Sequence, residues 1–489
     1  MMTIILITTM KGIITYPFSM TNRMKSFIFV ILLVSTAFFC SAIAEVEGDS
    51  PEQVRLSLTS TSTEMVVSWI TADHTDGDVE WGFTNDNLSF TEIGTNHTYG
   101  ADGWDGVIHS ATMNSLLPAT EYYYRVGDSI GGWSSISTFS TVPGNDTRVR
   151  IGIVADMDVT NAAEDVVSSM AGHNLDLVLF SGDLSYAYDG TRFWDEVNGD
   201  EWDEWGRLYE PLSSTVPTMF AVGNHENEEQ DGCAGCGFQA YLSRIDMPYD
   251  ASGSDSEFWY SFNFSMFHIV SISSEHEYSA ESPQYEWLEN DLVNANLDRE
   301  SHPWLITMFH RPMYSSTESG HGSEIEFRDA VESLLVEQKV DIVIAGHDHN
   351  YERTFPVDSE TAYQTDTNAF LRPEAPIHLL VGTGGRILYP GTSSNPEWSA
   401  HFESTTHGYG VLELLDKDSI QFIFYDDDNG DVLDIFTIGK VEVVTPEYTT
   451  VPSSDGILLK IAGLMIIASL IALFIWKRRS KTADSESEE

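Results

Sequence analysis

Basic residues are scarce. Lys and Arg number 24 against 76 Asp and Glu in 489 residues, a formal charge of -52. That balance excludes nucleic acid as a partner, because a phosphate backbone is held by clustered Lys and Arg. The same excess repels small anions, so an anionic substrate needs a local positive centre such as bound metal. Cysteine is nearly absent, with three in the chain. Cys40 falls in an apolar leader, which leaves Cys233-Ala-Gly-Cys236 in a glycine-rich loop. A zinc site would need two more ligands nearby and a redox pair would need a helix N-terminus, so Cys233 and Cys236 read as a local disulfide. Long apolar runs occur only towards the two ends.

The first such run comes after Arg23 and Lys25, extends from Phe27 to Phe39, and meets small residues at Ala42-Ile43-Ala44. This is the layout of a secretory signal, with cleavage expected before Glu45, and it places residues 1–44 outside the fold. The second, residues 457–476, carries one charge, Lys460, and is long enough to cross a hydrocarbon core of roughly 30 Å. Lys477-Arg478-Arg479 come directly after it, so the positive-inside rule predicts a type I single-pass membrane protein. Residues 441–456 are then a linker and 477–489 a cytosolic tail. The body faces the cell exterior or an endolysosomal lumen. Asn-x-Ser/Thr acceptors at Asn87, Asn96, Asn145 and Asn263 suit that route as glycosylation sites.

Between these ends, composition falls into two textures. Residues 51–143 alternate apolar and polar in short runs such as Met65-Val66-Val67-Ser68-Trp69, separated by turn residues, which predicts an all-β sandwich around Trp69. With its Leu117-Pro118-Ala119-Thr120-Glu121-Tyr122 stretch before a strand, this part resembles a fibronectin type III domain. From 148 to 440, apolar strands alternate with helical segments such as Ala162 to Ala171, Tyr285 to Ala295 and Ile325 to Glu337, an α/β pattern.

Five of those strands end in polar clusters. Ile151 to Val154 leads to Asp156, Val178 to Ser181 to Asp183, Met219 to Val222 to Asn224-His225-Glu226, Leu305 to Phe309 to His310, and Ile342 to Ala345 to His347-Asp348-His349. Side chains at strand C-termini converge on one edge of a sheet, where α/β sites lie. A single cluster of this kind is usually a cap or a turn, but five in succession point to metal. In a binuclear centre Asp183, after a glycine, would bridge two ions, with Asp156 and His349 completing one and Asn224, His310 and His347 the other. Tyr186 adds a phenolate, a hard anionic donor suited to Fe(III).

These residues resemble the purple acid phosphatases within the wider metallophosphoesterase group, and His310-Arg311-Pro312-Met313-Tyr314 is similar to the animal-type branch. The likeness runs from about 50 to 440, including a C-terminal phosphatase subdomain at about 375–440. It implies a metallophosphoesterase sandwich of two mixed sheets flanked by helices. The resemblance further implies Fe(III) held by Asp156, Asp183, Tyr186 and His349, and one divalent Zn, Fe or Mn held by Asp183, Asn224, His310 and His347. His225 and His321 are then the catalytic histidines that steer phosphate and protonate the leaving group, with Glu226 and Asp348 orienting their neighbours. The implied activity is an acid phosphatase acting on small phosphomonoesters. A phosphodiesterase or nucleotide hydrolase on the same scaffold, and a cell-surface binding protein with a vestigial site, are the alternatives. The chain departs from the family at Asp156-Met157-Asp158, where the third position is normally glycine. The oligomeric state is not legible.

Overall fold

The computed structural model describes residues 50–441, apart from 73–76, 101–103, 145–146, 188–199, 232 and 392. The expected leader, the apolar segment 457–476 with its flanks, and Asn145 lie outside the described residues. Among the described residues no helix is long and apolar enough to cross a membrane.

The first part is the expected sandwich. One sheet orders the strands Glu52–Leu58, Met65–Thr71, Val107–Met113 and Thr95–His97, and the other is built on Asp78–Gly82 and Glu121–Asp128. Alternation places Val67, Trp69, Trp81, Tyr122 and Tyr124 in the interior, with Trp69 stacked on His109 at 5.1 Å. Tyr122 explains the Leu117 to Tyr122 stretch: its hydroxyl accepts the Leu117 N–H at 2.9 Å and pins the turn before its own strand. Buried polar contacts fasten the sandwich to the α/β body. Gln53 gives its N–H to Glu210, while the buried Arg244 guanidinium donates to Asp203, Tyr99 and Gln53 and lies over Trp104 at 4.7 Å.

Two seven-stranded sheets make the rest. The first runs in the order Thr218–Ala221, Leu177–Ser181, Val149–Val154, Gly408–Asp416, Ser419–Asp426, Val432–Gly439, Ala369–Leu371. Its first three strands are parallel, and Gly408–Asp416 returns antiparallel beside Val149–Val154. The second sheet orders Tyr260–Phe264, Phe267–Ser271, Trp304–Met308, Ile342–Ala345, Ile377–Val381, Tyr351–Thr354, Ser399–Glu403. Helices Asn161–Ala171, Pro283–Leu297 and Ile325–Glu337 match the three helical segments read from periodicity, the first two capped by Thr160 and Ser282. The stretch at about 375–440, expected as a subdomain within the catalytic domain, adds strands to both sheets. It contributes Ile377–Val381 to the second sheet and three neighbouring strands to the first, because the buried parallel strands need apolar partners on both flanks. The structure joins Cys233 to Cys236, whose Cα atoms are 5.5 Å apart.

Candidate metal centre

The carboxyl ends of five buried strands meet between the two sheets. Asp156 and Asp183 are brought side by side because parallel pairing continues past the strands: the N–H groups of Asp156, Met157 and Asp158 donate to the carbonyls of Gly182, Asp183 and Leu184. Both aspartates sit in the left-handed backbone region, as do Asp158, Tyr186 and His347. Such conformations cost about 1–3 kcal/mol each and persist where surrounding contacts over-determine them. Two glycines are required by closeness. A Cβ on Gly223 would lie 2.3 Å from Asp183 Oδ1, and one on Gly346 would lie 2.5 Å from Asp156 Oδ2.

The donors divide into two groups. In one, the Tyr186 hydroxyl lies 3.0 Å from both Asp156 Oδ1 and His349 Nε2, and His349 Nε2 lies 3.6 Å from Asp156 Oδ1. In the other, His310 Nε2 is 3.1 Å from Asp183 Oδ2 and 3.3 Å from His347 Nδ1. Asp183, His310 and His347 form a group whose potential ligand atoms lie within 4.8 Å of one another. All six of these residues are at most 5% exposed as whole residues. Backbone carbonyls aim two of the rings: Ser181 O accepts from His310 Nδ1 at 2.8 Å and Ile387 O from His349 Nδ1 at 2.7 Å, turning each Nε2 inward.

Without a cation this arrangement is electrostatically frustrated. Burial and the neighbouring Asp183 push the Asp156 carboxyl up to about 7 against the pull of His310. Burial also works to raise Asp183, but His310, His225 and His347 overcome it and hold that carboxyl well below the usual range. Burial opposes charge on His310, and Asp183 reverses this, pushing the ring up to about 10. Burial together with His310 depresses His347, and burial lowers His349 to about 4. Tyr186 is pushed well above its ordinary value by burial and by the two aspartates, so its phenol ionises only beside a strong positive charge. One polar atom of the site has no partner among the described residues: Asn224 Oδ1 is buried and unbonded, which costs about 1–3 kcal/mol in a closed protein interior. Carboxylates, imidazole nitrogens facing each other and an orphaned amide oxygen fit bound cations, which would satisfy every one of them.

Around the donors stand further polar groups. Glu226 accepts the N–H groups of Gly223, Asp183 and Leu184 at 2.6, 2.8 and 2.8 Å, fixing the two ligand loops as one unit. Asp348 orients a neighbouring loop. Rather than touching the flanking histidines it accepts the N–H groups of His321 and Gly322 and the Ser315 hydroxyl, and so positions the loop carrying His321. His321 is thereby stacked on His347, ring centres 4.2 Å apart, at the exposed rim. His225 packs on the Tyr186 ring at 4.3 Å, with Nδ1 held 2.8 Å from Asp231 and Nε2 3.9 Å from Asp183 Oδ2. Two cations border the site. Arg311, gripped by Glu275, is 3.3 Å from His347 Nε2. Arg386 bonds Asp158 and lies 4.4 Å above the Tyr186 ring. The charge that Asp158 brings in place of glycine is therefore met by a cation. Of the glycosylation candidates, Asn87 and Asn263 are exposed and Asn96 half-buried; the Asn263 side chain also engages His268 at 2.7 Å.

Glu226→Gln tests the loop clamp: an amide of the same size turns N–H donors against N–H donors. Metal affinity, measured by chelator competition on the loaded protein, is expected to fall about 10–100-fold with the circular dichroism unchanged. Equal affinity would show that Glu226 does not position the ligands.

Family models match in three consecutive pieces: the purple acid phosphatase N-terminal domain over 51–141, the calcineurin-like phosphoesterase over 149–351, and the iron/zinc purple acid phosphatase-like protein C over 375–435. Among relatives, a phosphoenolpyruvate phosphatase of Allium cepa is 33% identical over 395 residues, covering 78% of this chain and 80% of its own. Purple acid phosphatase 23 of Arabidopsis thaliana is 35% identical over 384 residues, 70% of this chain and 81% of its own. The purple acid phosphatase PPD1 of yellow lupin, Lupinus luteus, superposes with a TM-score of 0.71 at 27% identity, over 82% of this chain and 78% of that one. These relatives are plant proteins and give no support to the animal-type branch expected from His310 to Tyr314. The chain belongs to the purple acid phosphatase family and is an acid phosphatase that hydrolyses phosphate monoesters at a dinuclear metal centre.

Proposed function

We propose that Asp156, Tyr186, His349 and Asp183 hold Fe(III), and that Asp183, Asn224, His310 and His347 hold a divalent Zn, Fe or Mn. The observation that carries this reading is the division of the donors into two groups, with only the first containing a phenol. When bound, the cations would supply Lewis acidity that neutralises charge on phosphoryl oxygens and lowers the pKa of water, so that it gives up a proton and hydroxide is available to attack phosphorus in line. The chain's own residues do the rest. Arg311 and His321 at the rim orient the phosphate oxygens, in a protein whose overall charge otherwise repels them. Asp231 holds the His225 ring so that Nε2 faces the site, where it donates a proton to the departing alkoxide.

Tyr186→Phe removes the phenolate and keeps the ring that packs on His225. Loss of the visible phenolate-to-iron absorption with the fold retained is the expected result; an unchanged spectrum would remove Tyr186 from the ligand set.

His225→Ala separates proton donation from metal binding. Both ions are expected to stay, while turnover of an alkyl phosphate falls about 10²–10⁴-fold, the range for a general acid. p-Nitrophenyl phosphate, whose phenolate leaves unprotonated, should lose far less. An equal loss on the two substrates would transfer the acid role to His321 and leave His225 as a phosphate-positioning group.

We further propose that the body is secreted through the leader at 1–44 and tethered by residues 457–476, facing the exterior or an endolysosomal lumen. Support comes from the apolar runs and the Lys477-Arg478-Arg479 flank. Truncation before Ile457 is expected to release active enzyme into the medium; a truncated chain that stays with membranes would overturn the tether.

A further inference from the structure

Lysine is the rarest charged residue in the body of this chain. Of the eight lysines in the sequence only Lys339, Lys417 and Lys440 fall between residues 50 and 441. All three line one cavity of about 1060 Å³, together with Arg299 and Arg372. The cavity lies at the amino-terminal ends of parallel strands in the second sheet: Pro303 leads into Trp304–Met308, Asp341 into Ile342–Ala345 and Ala375 into Ile377–Val381. His310, His347 and His349 come after the opposite ends of two of those strands. The cavity is therefore distinct from the metal centre.

Its charges are unequally engaged. Asp341 takes Arg299 at 2.9 Å and the Leu305 N–H at 2.8 Å, and Asp418 takes Lys417 at 3.0 Å. The Arg299 guanidinium is fully used, since it also donates to Asn296 and to the carbonyls of Pro303, Gln338 and Lys339. Among the described residues the Arg372 guanidinium donates through Nε alone, to the Lys440 carbonyl, and Lys440 lies 4.3 Å over the Trp304 ring with its ammonium on the Pro303 carbonyl. That leaves Lys339, Lys440 and the outer nitrogens of Arg372 with donor capacity, against the carboxylates of Glu300 and Glu374. In a chain whose acidic residues outnumber basic ones more than three to one, five cations and four carboxylates in one lining reverse the local balance.

We propose that this cavity binds a phosphate-bearing anion. An arginine fork beside lysine ammoniums is the donor set that phosphate oxygens accept best. Two sources share that chemistry, a phospholipid headgroup and a soluble polyphosphate. Fifteen residues separate Val441, at the cavity, from Ile457, and fully extended they reach about 50 Å at 3.3–3.6 Å per residue. A bilayer-embedded span would keep the cavity within that distance of the lipid headgroups on its own side of the membrane, of which a phosphate-bearing anionic one is the kind this donor set would take. The anion site stands without the tether; only the lipid source rests on that reading.

Because every lysine of the body lines the cavity, amine-reactive labelling followed by mass spectrometry reads it directly. The full chain is labelled in detergent micelles with and without imidodiphosphate, whose bridging nitrogen resists hydrolysis, and in bilayers of phosphatidylcholine with and without phosphatidylserine. At a ligand concentration twice its dissociation constant, labelling of Lys339 and Lys440 is expected to slow about threefold by mass action. Arg372→Gln should abolish the protection and leave phosphatase turnover unchanged. Slowing by imidodiphosphate alone assigns a soluble anion, and slowing by phosphatidylserine alone assigns a headgroup. Unchanged rates in both arms, or equal slowing in Arg372→Gln, would overturn the site, and neither outcome depends on the state of the metal centre.

Discussion

Burial of Asp156 beside Asp183 is the constraint on which the site depends. Two carboxylates taken out of water at close quarters cannot both stay ionised unless positive charge is supplied, and each ion so buried carries a penalty of several kcal/mol. His310 supplies part of that charge to Asp183 at 3.1 Å, but it leaves His347 facing a ring nitrogen at 3.3 Å and Asn224 Oδ1 with nothing. Cations resolve all three conflicts together. Much of the neighbouring structure can be read as holding the ligands in place against these repulsions until the charge arrives. Glu226 ties the two loops, the Ser181 and Ile387 carbonyls aim two rings, and the zipper from Asp156 to Leu184 fixes both aspartates in left-handed backbone.

The proposed ligands could be named from sequence because they stand within a few residues of the ends of buried strands. An apolar run that ends in Gly-Asp, Asn-His-Glu or His-Asp-His is a local pattern, and parallel topology carries such ends to one edge without further information. The helices were legible for the same local reason, three of them being found close to where periodicity placed them. What could not be read is what comes from far along the chain. Arg386 meets Asp158 across 228 residues and Ser181 O meets His310 across 129. Asp348 was expected to orient a neighbour, but which one is set by the fold: its carboxylate turns to the Ser315 and His321 loop. The pairing of Gly408–Asp416 with Val149–Val154 leaves no trace in either segment alone.

Charge sets the problem of getting a substrate in. With 76 acidic residues on the chain, a phosphate monoester approaches against a repulsive field that bulk salt screens beyond about 10 Å. Attraction must then be local and short-ranged. Arg311 and Arg386 provide it from the protein, yet both are already neutralised by carboxylates, Glu275 and Asp158, so their pull on a free anion is weaker than two bare cations would give. The dominant attraction falls to the ions of the metal centre. This makes substrate binding and metal loading one event electrostatically, where a basic enzyme could keep them apart.

Asp158 shows how a departure from a family pattern is accommodated. An aspartate in place of glycine, in left-handed backbone and nearly sealed from solvent, adds a negative charge two residues from Asp156. Left alone it would strengthen the repulsion that already raises Asp156. Arg386 cancels it through a direct ion pair, and its backbone N–H at the same time donates to the Asp156 carbonyl, so the compensating residue is itself held by the loop it compensates. The guanidinium comes to rest 4.4 Å over the Tyr186 ring, where a cation favours the electron-rich phenolate over the phenol. The pair thus offsets the added negative charge near the first aspartate and sets its guanidinium end over the only phenol among the proposed ligands. A glycine at position 158 would have left Arg386 without that partner at the site, and the ring face without a reason to be covered.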